Sequence, residues 1–365
     1  MKYTVTLTLT LVISVLIWVH LIQPGNAGNL PAAKPDTKAD GSPVFSLNSI
    51  YKGVCWTGEP RRLPDDAIDT VKAYGVEWIS LTPFGWMQTQ HTPAVKFNTH
   101  HGWWGETDEG IRTTTREAHQ KDLKVMLKPH LWIMNPSHGN WRGTIDFKTE
   151  ELWQQWEADY TRFIMYYAQM ADKENIEILC IGTEFTNPLL SRPQYWKNLI
   201  RDIRSVYSGK LTYAANWYRG FDRTGIWRDL DYISIQCYFP LTDKEKPTVD
   251  EIVAGWQPHI QAIEAVSKKY DKPVILAEIG YTNTKGTTIE PWQWSEFIPG
   301  SQLDHSEQVN AYEALFLAIG AKEWLAGIFI WKWFPSHGRI SSDRVDFSPQ
   351  NKPAEDVLRK WYTFK

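Results

Sequence analysis

The 365-residue chain is 42% apolar and 22% charged, the balance of an ordinary soluble globular protein. Its net charge of −3 leaves no basic footprint, so nucleic acid is not an expected partner. Twenty tryptophans are the abnormal number, and many fall in segments that read as loops, where a large flat apolar face usually contacts something.

Residues 1–27 carry one lysine and then an uncharged apolar stretch over 3–22, followed by Gln-Pro-Gly-Asn-Ala-Gly. That is the pattern of a secretory signal or of an uncleaved anchor, since a spanning helix needs roughly 20 apolar residues. The expectation is an exported protein: periplasmic, extracellular or anchored at the cell surface, with the N-terminal segment as the candidate membrane tether. Residues 28–45, rich in Pro, Ala, Lys, Asp and Gly, read as a flexible tether. Residues 46–365 are expected to form a single catalytic domain.

From about residue 50, short apolar runs alternate with amphipathic segments, the pattern of an α/β fold with a parallel sheet. Eight runs read as strands: 53–57, 77–81, 124–129, 176–182, 210–215, 232–237, 273–277 and 327–331. Pro64-Asp65-Asp66 opens a helix that ends at Gly75. Leu152, Trp156, Tyr160, Phe163, Ile164 and Tyr167 fall three or four apart, which predicts a helix over 149–171 with one apolar face. The crossover after the fifth strand, 217–230, reads as a short helix. Asp304 followed by Glu307 reads as a capping box, with Gly320 as the stop. Eight strands with eight connections, and no Gly-rich phosphate loop after any of them, predict a single (β/α)8 TIM barrel. Cys55, Cys180 and Cys237 lie on separate strands and read as buried free thiols.

In such a barrel, chemistry sits where strands end at the C-terminal face. The fourth strand ends in Gly-Thr-Glu184-Phe and the seventh in Ala-Glu278-Ile-Gly-Tyr. Tyr238 ends the sixth, Trp331-Lys-Trp333 the eighth, and His130-Leu-Trp132 the third. Trp56 ends the first, and Asn216-Trp217 the fifth. Two carboxylates facing across one opening are what glycosidic-bond hydrolysis requires: one protonates the leaving oxygen, the other attacks the anomeric carbon or activates water. Surrounding tryptophans suit the C–H faces of pyranose rings. The plainer reading is a buried ion pair for either glutamate, with Lys128 as a candidate partner. Trp331 and Trp333 share parity along their strand, and Trp331 is the preferred site residue. Trp103, Trp104, Trp132, Trp141, Trp217, Trp292 and Trp294 are candidate sugar platforms, some of which would be loop-packing residues. His100-His101 does not read as a metal pair, because adjacent histidines rarely chelate one ion.

The Ile-Gly-Thr-Glu184-Phe and Ala-Glu278-Ile-Gly-Tyr contexts, with Gly-Trp-Trp-Gly at 102–105, resemble the clan A glycoside hydrolases and are most similar to family 113. The resemblance spans roughly residues 50–335. It implies a retaining, cofactor-free endo-acting hydrolase of β-1,4-mannan, with Glu184 as acid/base and Glu278 as nucleophile. It further implies that Tyr238 orients Glu278 and that Trp331 floors the subsite of the cleaved sugar. Many clan members have asparagine just before the acid/base, to bind the sugar 2-hydroxyl; here that position is Thr183, and Asn216 could supply the contact instead. The expected partner is a β-linked polysaccharide or oligosaccharide, and a monomer is the expected form. The alternatives are a hydrolase of another β-glycan such as glucan or xylan, a catalytically inactive carbohydrate-binding barrel, and a metal-dependent barrel hydrolase.

Overall fold

The computed structural model describes residues 47–364, except 98, 99, 101, 138, 296, 297, 299 and 337–339. The N-terminal segment 1–27, the tether 28–45 and His101 therefore lie outside the described residues. In chain order the elements are β1 (Tyr51–Trp56), α1 (Ala67–Lys72), β2 (Trp78–Leu81), β3 (Phe84–Met87), β4 (Lys96–Phe97), α2 (Asp108–Gln120), β5 (Lys124–Leu127) and β6 (His130–Ile133). There follow α3 (Glu150–Lys173), β7 (Ile178–Thr183), α4 (Thr186–Ser191), α5 (Pro193–Arg204) and β8 (Lys210–Asn216). The chain closes with β9 (Ile233–Gln236), α6 (Val249–Tyr270), β10 (Val274–Ile279), α7 (His305–Ile319), β11 (Leu325–Trp333) and α8 (Pro353–Thr363). Eight strands, in the order β1-β2-β5-β7-β8-β9-β10-β11, close into a parallel barrel. They coincide with the eight expected runs.

Two cores follow from strand alternation. Cys55, Trp78, Met126, Ile178, Cys180, Ala214, Ile275, Ala277 and Phe329 form one cluster. It draws on strands and on no helix, so it fills the barrel lumen. The larger cluster lies between strands and helices and includes Trp156, Tyr160, Phe163 and Ile164, the apolar face of α3. Thr149 caps α3 by accepting from the Leu152 amide, and Glu150 and Glu151 oppose the helix dipole in the first turn. The three cysteines are buried free thiols.

Three features depart from the sequence reading. The fifth crossover holds only a 3-10 turn, Ile226–Asp229, pinned by the Trp227 indole donating to the Phe221 carbonyl at 2.8 Å. Asp304 caps α7 through the Ser306 amide, without the reciprocal Glu307 bond of a capping box. A small second sheet, β4-β3-β6, continues β2 and β5 beyond Pro83 and Pro129. Proline has no amide to donate, so each barrel ladder stops there and resumes as a rim sheet above the opening.

Candidate active site

Three strands slip register at or near their C-terminal ends, and these are the strands that carry Glu184, Glu278 and Trp331. On β10, Leu276 and Ile279 lie opposite Ile328 and Ile330 of β11, three steps against two. Ile275 and Ala277 face the lumen and Leu276 faces the helices. Strict alternation would turn Glu278 outward with Leu276, and the bulge re-aims it inward. On β7 the slip falls between Cys180 and Thr183. On β11 it falls between Ile330 and Trp333, and there it overturns the equal parity expected of the two tryptophans. Trp331 packs on the lumen cluster, whereas Trp333 is buried in the outer core, 5.1 Å from the Tyr74 ring.

Glu278 is surrounded by donors. The Lys128 ammonium, completely buried, pairs with Oε1. His130 Nε2 lies 3.4 Å from the same oxygen, and the Tyr238 hydroxyl donates to Oε2 at 3.1 Å. Burial, then the charge of Glu278, pushes the Tyr238 phenol well above its ordinary range, so it stays a proton donor. For Lys128, burial pulls the ammonium down, but Cys55 and Glu278 outweigh it and the net direction is up. The Cys55 thiol is itself pushed up to about 12 by burial and stays neutral, so Glu278 is the charge that keeps Lys128 protonated.

Glu184 has a different setting. Its backbone is left-handed, φ 58°, an uncommon conformation for a residue with a side chain and one that costs about 1–3 kcal/mol. Neighbours hold it there. The Glu184 amide donates to the Ala214 carbonyl at 2.8 Å, and the Phe185 amide donates to the Tyr213 hydroxyl at 2.8 Å. Phe185 itself is fully buried against Tyr160, whose hydroxyl donates to the Ile181 carbonyl. Gly182 is required because a Cβ there would sit 2.6 Å from the Tyr213 ring. The carboxyl receives the Asn216 amide at Oε1, 2.7 Å, and faces Arg142 Nε at 3.8 Å from Oε2. Burial raises its pKa; Glu278 adds to the rise, while Arg142, Asn216 and Lys128 oppose it. One carboxyl is thus biased to hold a proton, and the other is paired with a buried ammonium and a phenol.

Around this pair the structure gathers Tyr238, His130, Asn216 and Trp331. Trp331 lies with the Lys128 ammonium 5.9 Å from its ring centroid and meets Trp294 edge-on at 6.3 Å. Trp217 stacks with Trp292 at 5.0 Å. Trp132 on the rim sheet stands opposite Trp86 in register and is 47% exposed, and Trp103 is 54% exposed. Those exposures suit ligand contact better than packing. Trp104, by contrast, leans on the outer core.

Two expectations fail on burial. Trp56 lies in the outer core, because alternation along β1 turns Cys55, its neighbour, to the lumen. Thr183 has no exposed surface; its hydroxyl lies beside the Cys180 thiol and has no other partner, so it cannot reach a sugar. Two residues do more than their sequence context signals. Lys128 entered only as a plain ion-pair partner, and the ion pair is real, yet it joins His130 and Tyr238 around Glu278. Arg142, flanked by Trp141 and Gly143 in a long loop, carries no periodic signal in the sequence.

The model of Glycoside Hydrolase Family 113 matches residues 60–352. A structure described as a family 113 β-1,4-mannanase is 25% identical, with a TM-score of 0.73, covering 87% of this chain and 100% of that one. The family 113 β-mannanase AaManA from Alicyclobacillus acidocaldarius, solved in complex with ManMIm, is 24% identical, with a TM-score of 0.73 and coverage of 87% and 98%. A β-glucuronidase of Ruminococcus gnavus shares the fold at 12% identity and a TM-score of 0.56, covering 88% of this chain and 50% of that one. No curated protein matches.

Proposed function

This chain belongs to glycoside hydrolase family 113, and from that premise we propose that it is a retaining endo-β-1,4-mannanase acting by double displacement. The observation that carries the mechanism is the contrast between the two glutamates. Glu184, raised by burial, donates its proton to the glycosidic oxygen as that bond breaks. Glu278, positioned by Lys128, His130 and Tyr238, attacks the anomeric carbon and forms a glycosyl ester. Glu184, now a carboxylate, takes a proton from water as that water displaces Glu278, which restores both groups. Asn216 holds Glu184 through both steps.

Mannan as substrate is supported by the similar solved structures described as β-1,4-mannanases. Endo action is supported by the exposed Trp132 on the rim sheet, which offers a platform beyond the cleaved sugar. Export is part of the same reading and rests on the sequence of residues 1–27. The test is product analysis on a panel of β-linked polysaccharides. Reducing ends should appear from β-1,4-mannan, with mixed oligosaccharides early, and not from β-glucan or xylan. Turnover of glucan or xylan in place of mannan would overturn the substrate assignment. Binding without turnover on every member of the panel would overturn the enzymatic one.

A further inference from the structure

We infer that Arg142 is a positioning residue that joins the two carboxyls: one side of its guanidinium faces Glu184, and the other fixes the His130 proton on the nitrogen that lies beside Glu278. This rests on the catalytic roles proposed above for the two glutamates.

The geometry is a continuous chain. Arg142 Nε lies 3.8 Å from Glu184 Oε2, the oxygen that Asn216 leaves free. Arg142 Nη1 lies 3.3 Å from His130 Nδ1. A guanidinium has only donors, so Nδ1 must accept, and the single proton of a neutral imidazole must sit on Nε2. That nitrogen is buried, lies 3.4 Å from Glu278 Oε1, and forms no aligned hydrogen bond with it or with any other group. Burial first, then the charges of Lys128 and Arg142, hold His130 well below its usual range, so the imidazole is neutral while the enzyme works. Arg142 thereby keeps the His130 proton on the nitrogen beside the nucleophile without adding a second charge next to Lys128.

The loop is built to hold Arg142 in place. The Trp141 amide donates to the Thr144 hydroxyl at 3.1 Å, and that hydroxyl donates back to the Trp141 carbonyl at 2.8 Å, closing the 3-10 turn Arg142–Thr144. The Trp141 ring folds over Gly143, where a Cβ would sit 2.5 Å from it. The charged and titratable groups acting with Glu184 are Arg142, Glu278, Lys128 and the phenols of Tyr213 and Tyr238. Of these, Arg142 is the cation nearest to Glu184 and the strongest influence opposing its retention of the proton.

The test compares R142M and R142K in the full chain. With an unactivated β-1,4-linked oligosaccharide, the basic limb of kcat/KM reports loss of the proton from Glu184. Removing the positive charge raises that pKa, so R142M should move the basic limb up by about one pH unit or more. R142K keeps the charge and should leave the limb in place, while losing the bond to His130 and with it up to about tenfold in kcat. In 15N spectra, His130 should show a protonated Nε2 and a bare Nδ1 in the unaltered protein, and a mixture of tautomers in both variants. A ¹³C titration of the Glu184 carboxyl, assigned with E184Q, reads the same shift without turnover, so it judges Arg142 even if no β-glycan is hydrolysed. An R142M limb that stays put, with unchanged His130 spectra, would overturn the inference. So would lost activity with neither shift, which marks a merely structural residue.

Discussion

Glu184 and Glu278 stand in the same opening, at the ends of strands that each slip register, yet their surroundings share little. Glu278 meets a fully buried ammonium, an imidazole and a phenol. Glu184 meets one amide at close range and a guanidinium at 3.8 Å, on a left-handed backbone clamped by Phe185. The lesson is that residue type does not assign the role. In the proposed mechanism two identical side chains become acid and nucleophile because charge is compensated tightly at one and loosely at the other.

The sharpest way to break that contrast is to remove each carboxyl. E278A should lower turnover by about 10⁴-fold or more, and E184A by about 10²–10⁴-fold. Azide should rescue them differently, yielding an inverted glycosyl azide from E278A and a retained one from E184A. A variant with near-normal activity would remove its residue from the mechanism. Stability should separate the pair as well. E278A leaves Lys128 buried and unpaired, a loss on the order of 3–5 kcal/mol, whereas E184A frees a partly exposed Arg142 at about 1 kcal/mol or less. Urea denaturation of the two variants measures the difference, and equal losses would deny the asymmetry.

Smaller changes sharpen the comparison. Y238F removes a donor to a charged oxygen and should lower kcat by about 10- to 100-fold with the fold intact, as steady-state kinetics would show. N216A removes the amide that opposes protonation of Glu184. Activity that needs the protonated acid is lost as pH rises through its pKa, so N216A should carry the basic limb upward, by up to about one pH unit. The smallest effect belongs to T183V. Its hydroxyl reaches no solvent, so KM should not change and stability should move by about 1 kcal/mol or less. A large rise in KM would restore Thr183 as a sugar contact.

Much of this site was legible in the sequence, because apolar runs closed by Glu184, Tyr238 and Glu278 mark strand ends whatever the helices do. What the sequence hid is local slippage. Counting by twos turns Glu278 outward with Leu276 and keeps Trp331 and Trp333 together, and only register against neighbouring strands reveals the bulges. The rim sheet was hidden because Pro83 and Pro129 read as strand ends when the chain in fact resumes pairing beyond them. Trp56 ends its strand facing the helices, a choice that alternation from Cys55 could have shown. Arg142 acts on partners twelve and forty-two positions along the chain, from a loop whose pattern says nothing about where it folds.

The division of labour between the two glutamates is tested most directly by trapping the covalent intermediate. An activated 2-deoxy-2-fluoro mannoside should label the enzyme once, and peptide mapping should place the sugar on Glu278. A label on Glu184, or an unlabelled enzyme that releases an inverted product, would contradict it.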